Sequence, residues 1–149
     1  GSVFDDEHPP RGVGGLVDWR MSGRVSELHA QSFVSGNLGE LFLTPGRPRL
    51  PFDKVLIVGL GPRAGFDEAT YRTALERVLR ALADLQVRRA TLDLPGRHVG
   101  AIEPGPALQI LRALLSQTVY DFEALTLLDD GDAHRIYAAA VVAGARPRR

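Results

Sequence analysis

Apolar positions along the chain change their period several times, and each change marks an element. Leu16, Val17, Met21, Val25, Leu28 and Ser32 recur at helical spacing and predict a helix over 16–33, stopped by Gly36. Residues 3–5 look like the stub of a strand before it, and Glu40–Thr44 is a short extended run after it. PGRPRLP, residues 45–51, carries three prolines and breaks any regular structure. Lys54–Leu60, KVLIVGL, is continuously apolar and β-branched, the pattern of a strand covered on both faces. Tyr71, Leu75, Val78, Leu79, Leu82 and Leu85 then form the apolar stripe of a helix running to about Gln86. Asp67 is its expected N-cap, with Phe66 and Tyr71 as the hydrophobic staple around it.

The second half repeats this alternation. Ala90–Leu94 is a buried-strand run, and Leu108, Leu111, Leu114 and Leu115 give the next helix its face, with Pro106 at its start. Ala124–Leu128 is a third buried strand, and DDGD at 129–132 caps a final helix through Asp130 or Asp132. Strand and helix in strict alternation predict an α/β fold of three layers, α/β/α, around a mixed, mainly parallel sheet. In such sheets ligands bind at loops leaving the carboxyl ends of strands. Three glycine-containing segments take that kind of position: 11–15, 59–65 and 95–100.

Two readings of RGVGG at 11–15 stand at this point. Arg11 with the backbone N–H groups of Gly12, Gly14 and Gly15 can hold a phosphate at a helix N-terminus, or the glycines only serve a tight turn. Asp18 follows as a charge in the first helical turn. Gly96, Arg97, His98 and Gly100 form the second such loop, with His98 as a donor to an anion or a solvated loop residue. Trp19, the only Trp, is expected to anchor its helix in the core or at an interface. His8, His29 and His134 show no mutual metal-ligand spacing, and DDGD lacks the acidic residue that would close a calcium loop, because position 140 is Ala. No metal and no cofactor are expected.

Composition narrows the classes. The 149 residues fit one domain, 1–149, with 145–149 as a frayed tail. The opening Gly1-Ser2 has the look of a tag-cleavage scar, which leaves 1–10 as an incomplete first strand. There are no cysteines, and so no disulfides or thiolate metal sites. Eighteen basic residues balance eighteen acidic ones, which counts against a nucleic-acid surface. No apolar run approaches the ~18 residues of a membrane span. Lys54 is the only lysine, a bias that fits a GC-rich bacterial genome.

GLVDWRMSGRVSEL, then KVLIVGLGPRAGFDEATYRTAL, resembles the N-terminal domain of leucyl (cytosol) aminopeptidases, a domain related in fold to macrodomains. ATLDLPGRHVGAIEPGPALQILRALL is similar to a macrodomain's second ligand loop and following helix, and ALTLLDDGDAHRIYAAAV to its last strand and helix. The resemblance implies a cytoplasmic, non-catalytic module for assembly, self-association or protein contact. Its alternative is a nucleotide or ADP-ribose ligand at 11–15 and 96–100. The aminopeptidase dimetal run Asn-Thr-Asp-Ala-Glu-Gly-Arg does not occur in this chain, and residues 4–10 stand where catalytic macrodomains carry Asn-Ala-Ala-Asn.

Overall fold

A computed structural model describes residues 1–144; the tail 145–149 lies outside the described residues. The chain runs β1 (Ser2–Val3), α1 (Gly12–Arg20), α2 (Arg24–Ala30), β2 (Leu41–Pro45), β3 (Lys54–Gly59), α3 (Glu68–Asp84), β4 (Arg89–Asp93), α4 (Pro104–Gln117), β5 (Ala124–Leu128) and α5 (Gly131–Gly144). Short 3-10 turns at Arg63–Gly65 and Arg97–Val99 precede α3 and α4.

The strands form two hydrogen-bonded groups, in the orders β1-β3-β2 and β4-β5. β1 runs parallel to β3 and β4 parallel to β5, while β2 is antiparallel to β3. The expected mixed, mainly parallel arrangement is present. The apolar pattern carries no sign of the break between β3 and β4.

The predicted elements hold where the apolar period is unambiguous. β3 and β5 lie where their continuous apolar runs put them. Asp67 caps α3 by accepting from the Thr70 amide at 2.8 Å, and Asp130 caps α5 by accepting from the Ala133 amide at 2.8 Å. The predicted single helix over 16–33 is two helices. Gly23 adopts φ 79°, a left-handed conformation that ends one helical run and opens the next. Asp18 then accepts from the Ser26 amide (2.9 Å) and hydroxyl (2.5 Å), so it steadies the start of α2 and is not a first-turn charge of α1. α4 begins at Pro104, not Pro106, with Glu103 in extended conformation before it.

The larger core joins α3, β4, α4 and α5 around Tyr71, Leu75, Leu79, Leu94, Leu111 and Tyr137. On one face of β3, Val55 and Ile57 pack with Val17 and Val25 of α1 and α2. On the other, Val58 packs with Ala74 of α3. Alternate residues of β3 therefore meet helices on opposite faces, which is why its sequence is apolar throughout. The Tyr71 hydroxyl donates to the buried Ala107 carbonyl at 2.9 Å, tying α3 to α4. Tyr71→Phe removes this donor while the Ala107 carbonyl keeps its bond within α4, so urea unfolding should show a loss of about 1 kcal/mol.

Candidate functional site

Two of the three glycine segments singled out from the sequence, 11–15 and 96–100, meet in space. Segment 11–15 is the first turn of α1 itself, because the helix starts at Gly12. Arg11 is its N-cap and supplies no side-chain cap. Segment 96–100 is a 3-10 turn, Arg97–Val99, between two left-handed glycines, Gly96 and Gly100. The contact point is Gly12 against His98: a Cβ at Gly12 would lie 2.5 Å from the His98 Cβ, and φ there is +59°. Glycine is required at position 12 by this approach as well as by its backbone conformation. Gly14 and Gly15 lie within α1, and the Gly15 amide donates to the Arg11 carbonyl at 3.0 Å.

His98 has a partner that sequence reasoning missed. Its Nε2 lies 3.0 Å from Glu7 Oε2, and the two side chains are 7% and 1% exposed. An ionised carboxylate only accepts, so Nε2–H is the donor of this pair. Arg63 approaches the other Glu7 oxygen at 3.8 Å and lies over the Phe4 ring, 5.7 Å from its centroid. Among the described residues, Glu7 Oε1 and His98 Nδ1 have no hydrogen-bond partner. Glu7 ties the segment after β1 to the 96–100 turn and fixes the His98 ring. Only the DDE cluster at 5–7 signalled it, and nothing in the local pattern marked Glu7 as buried.

Arg97 faces inward. Its guanidinium donates to both Asp129 oxygens (2.9 and 3.2 Å) and to the Ile102 carbonyl at 2.8 Å. Tyr137 donates its hydroxyl to Asp129 at 2.6 Å. This network locks the 96–100 turn onto the β5–α5 junction. Burial alone would push the Asp129 carboxyl up. The hydrogen bonds from Arg97 and Tyr137 outweigh it, and its pKa lies below the ordinary value. Burial pushes the Tyr137 phenol up, and its bond to Asp129 adds to that. A depressed carboxylate stabilises the fold above its unfolded pKa, and that stabilisation is lost as pH falls through the folded pKa. Urea midpoints should therefore drop for the native chain between pH 5 and pH 2, and Asp129→Asn should lower the midpoint at pH 7 and flatten the acid limb.

Trp19 is 70% exposed, with Arg20 stacked 5.1 Å from its ring. Leu16, expected inside, is 54% exposed. Val17, not Leu16, packs with Val55 and Ile57 of β3. His8 and His29 come together, ring centroids 4.1 Å apart. No three His, Cys, Asp or Glu among the described residues are grouped to hold a metal. No described helix is long and apolar enough to cross a membrane.

Solved structures show that the fold is macrodomain-like. The chain is similar in fold to the macrodomain of Mycobacterium tuberculosis DarG, with TM-score 0.68, 15% identity and 87% of each chain covered. A Trypanosoma brucei macrodomain solved in complex with ADP-ribose gives TM-score 0.69 at 20% identity over 94% of this chain and 62% of that one. A tomato leucine aminopeptidase mutant gives TM-score 0.61 at 18% identity over 96% of this chain and 33% of that one.

Sequence narrows the class further. The chain belongs to the cytosol aminopeptidase family, whose N-terminal domain matches residues 2–125. A probable cytosol aminopeptidase of Halorhodospira halophila is 32% identical over 107 residues, 72% of this chain and 21% of that protein. One of Picosynechococcus is 31% identical over 87 residues, 58% of this chain and 18% of that protein. The chain thus spans about a fifth of the length of the curated relatives it matches, and the part it matches is the N-terminal domain.

Proposed function

We propose that this chain is a single-domain, cytoplasmic, non-catalytic module that acts by assembly, through the outer face of α1. The observation that carries the reading is the exposure of Leu16 and Trp19, one helical turn apart on α1, with the exposed Leu43 and Phe52 lining one groove with Leu16. A Trp flanked by aliphatic side chains is the composition of an interface anchor. Membership of the N-terminal domain of an aminopeptidase family supports a role in organising a larger protein rather than in bond cleavage. Leu16→Ser together with Trp19→Ser should leave the far-ultraviolet dichroism unchanged and abolish self-association in light scattering. Association that survives both substitutions would remove this face from the account.

A second reading is favoured by one observation, the meeting of Gly12 with His98. Here a nucleotide-type ligand such as ADP-ribose lies across the rim of the two segments, beside their contact. Arg11 and the first-turn amides of Gly12 and Gly14 take its phosphates, with Gly96 and Gly100 on the far side. Asp18, Arg97, His98 and the Gly15 amide have no part in it, being engaged with Ser26, Asp129, Glu7 and Arg11. ADP-ribose at one hundred times its dissociation constant would stabilise the fold by about 2.7 kcal/mol. If neither ADP-ribose nor any of a panel of nucleotides shifts the melting temperature, this reading fails.

A further inference from the structure

The chain has four histidines, and the fold treats them differently. His98 is buried against Glu7. His134 meets the Tyr137 ring edge-on. His8 and His29, distant in sequence, lie side by side: their ring centroids are 4.1 Å apart and their planes are tilted by 49°. Both line one recess of about 380 Å³, with Pro9, Pro10, Ser26 and Ala30. No hydrogen bond among the described residues ends on either imidazole. The Ser26 hydroxyl is taken by Asp18 at 2.5 Å, and the prolines and Ala30 have no polar side-chain atoms. The free polar side-chain atoms of the recess are therefore the nitrogens of the two rings.

The rings are carried by positions that the fold sets. His29 stands in the last turn of α2. His8 precedes two prolines, whose fixed φ stiffens the chain around it. Glu7, just before it, is anchored on His98. Holding two ligands together in advance lowers the ordering cost of binding. Charge favours a cation as well. No Lys or Arg lines the recess, and the carboxylates of Glu40 and Asp5 act on His29 through space.

Neutral imidazole is a ligand for zinc, copper, iron and nickel, whereas magnesium and calcium take oxygen. The spacing of the rings narrows the choice. An ion sits about 2.0 Å from its imidazole nitrogen, and the ring centroid lies roughly 1.1 Å behind that nitrogen. Two rings on one ion then have centroids ~4.5 Å apart at a right angle and ~5.1 Å apart at the tetrahedral angle. The observed pair is nearer the right angle, which is the angle of square-planar and tetragonal copper(II) and nickel(II) sites.

We propose that His8 and His29 form a binding site for a divalent ion of the copper(II) and nickel(II) class, one nitrogen from each ring, with water in the other positions. A bound ion clips the segment after β1 to the end of α2. The site is separate from the outer face of α1 and from the Gly12–His98 contact, so it stands or falls independently of both functional readings.

The test uses the chain without a histidine tag, titrated with copper(II), nickel(II) and magnesium in a non-coordinating buffer. Calorimetry should give one copper(II) or nickel(II) ion per chain and no magnesium. Copper(II) at one hundred times its dissociation constant should raise the melting temperature by about 5–10 °C. His8→Ala and His29→Ala should each weaken binding by at least about tenfold, and His134→Ala should leave it unchanged. His8→Phe and His29→Phe keep a ring in each place and should lose the ion in the same way. On the native chain, the paramagnetic resonance of bound copper(II) should show two imidazole nitrogens, a readout that needs no variant. A signal from one nitrogen, less than one ion per chain, or undiminished binding in any of the His8 or His29 variants would overturn the proposal.

Discussion

Glu7→Ala is expected to destabilise the domain by about 3–5 kcal/mol, the cost of removing one member of a buried, paired couple and leaving the other unpaired. Glu7 is 3% exposed, and its carboxylate meets His98 at 3.0 Å across 91 positions of sequence. The loss should be visible as a large fall in the urea midpoint at pH 7. It should be partly local as well: the His98 ring would lose its only hydrogen-bond partner among the described residues, and the 96–100 turn would exchange its amides faster. Glu7→Gln keeps an oxygen acceptor for Nε2–H and should cost less. A double variant, Glu7→Leu with His98→Leu, separates pairing from packing, since replacing both polar partners by apolar groups is often neutral. If Glu7→Ala costs under about 1 kcal/mol, an exposed-pair magnitude, the couple is not a structural tie.

Gly59→Ala should be nearly as damaging, at about 3 kcal/mol or more, the upper end of overpacking costs. A Cβ there would lie 2.6 Å from the Gly36 carbonyl carbon and closer still to the Asn37 carbonyl oxygen. Backbone on both sides leaves nothing to rotate away. Gly59 is the last residue of β3 and pairs with Val3, while its amide donates to the Glu40 carbonyl at 2.8 Å. The 36–40 turn is held against this strand end by Glu40, whose carboxylate accepts from the Ser35 and Gly36 amides at 2.8 and 2.7 Å. The substitution should therefore lower the thermal midpoint and loosen the 36–40 turn first, as hydrogen exchange would show. Gly65→Ala is the control, because a Cβ at Gly65 meets nothing within 4 Å.

What the sequence makes legible here is short-range. Continuous apolar runs at 54–60 and 124–128, the Asp67 and Asp130 caps, and the leucine stripe of α3 are all written within one element. Each came out within a residue or two. The failures involve choices made by partners elsewhere. Helical spacing over 16–33 hides the break at Gly23, because Val25 and Leu28 continue the period by chance while Asp18 reaches across to cap a second helix. Leu16 fits the stripe yet is left half exposed at the rim of a groove.

The candidate site divides the same way. The adjacency of the 11–15 and 96–100 segments follows from strand-end position, and the Gly12–His98 approach has that geometry. Glu7 could not be read from its neighbours, since DDE is equally a solvated acidic turn. The inward Arg97 could not be read either, because Asp129 lies 32 positions away. The separation of the strands into two groups depends on which edges find partners, and apolar patterning is silent on that.

The central claim is that the domain works by assembly through the outer face of α1, and the most direct test is its molar mass in solution. Multi-angle light scattering of the native chain over a concentration series should show mass rising above that of the monomer. It should return to the monomer value when Leu16 and Trp19 are both replaced by Ser. A native chain that stays at the monomer mass at every concentration would contradict the account.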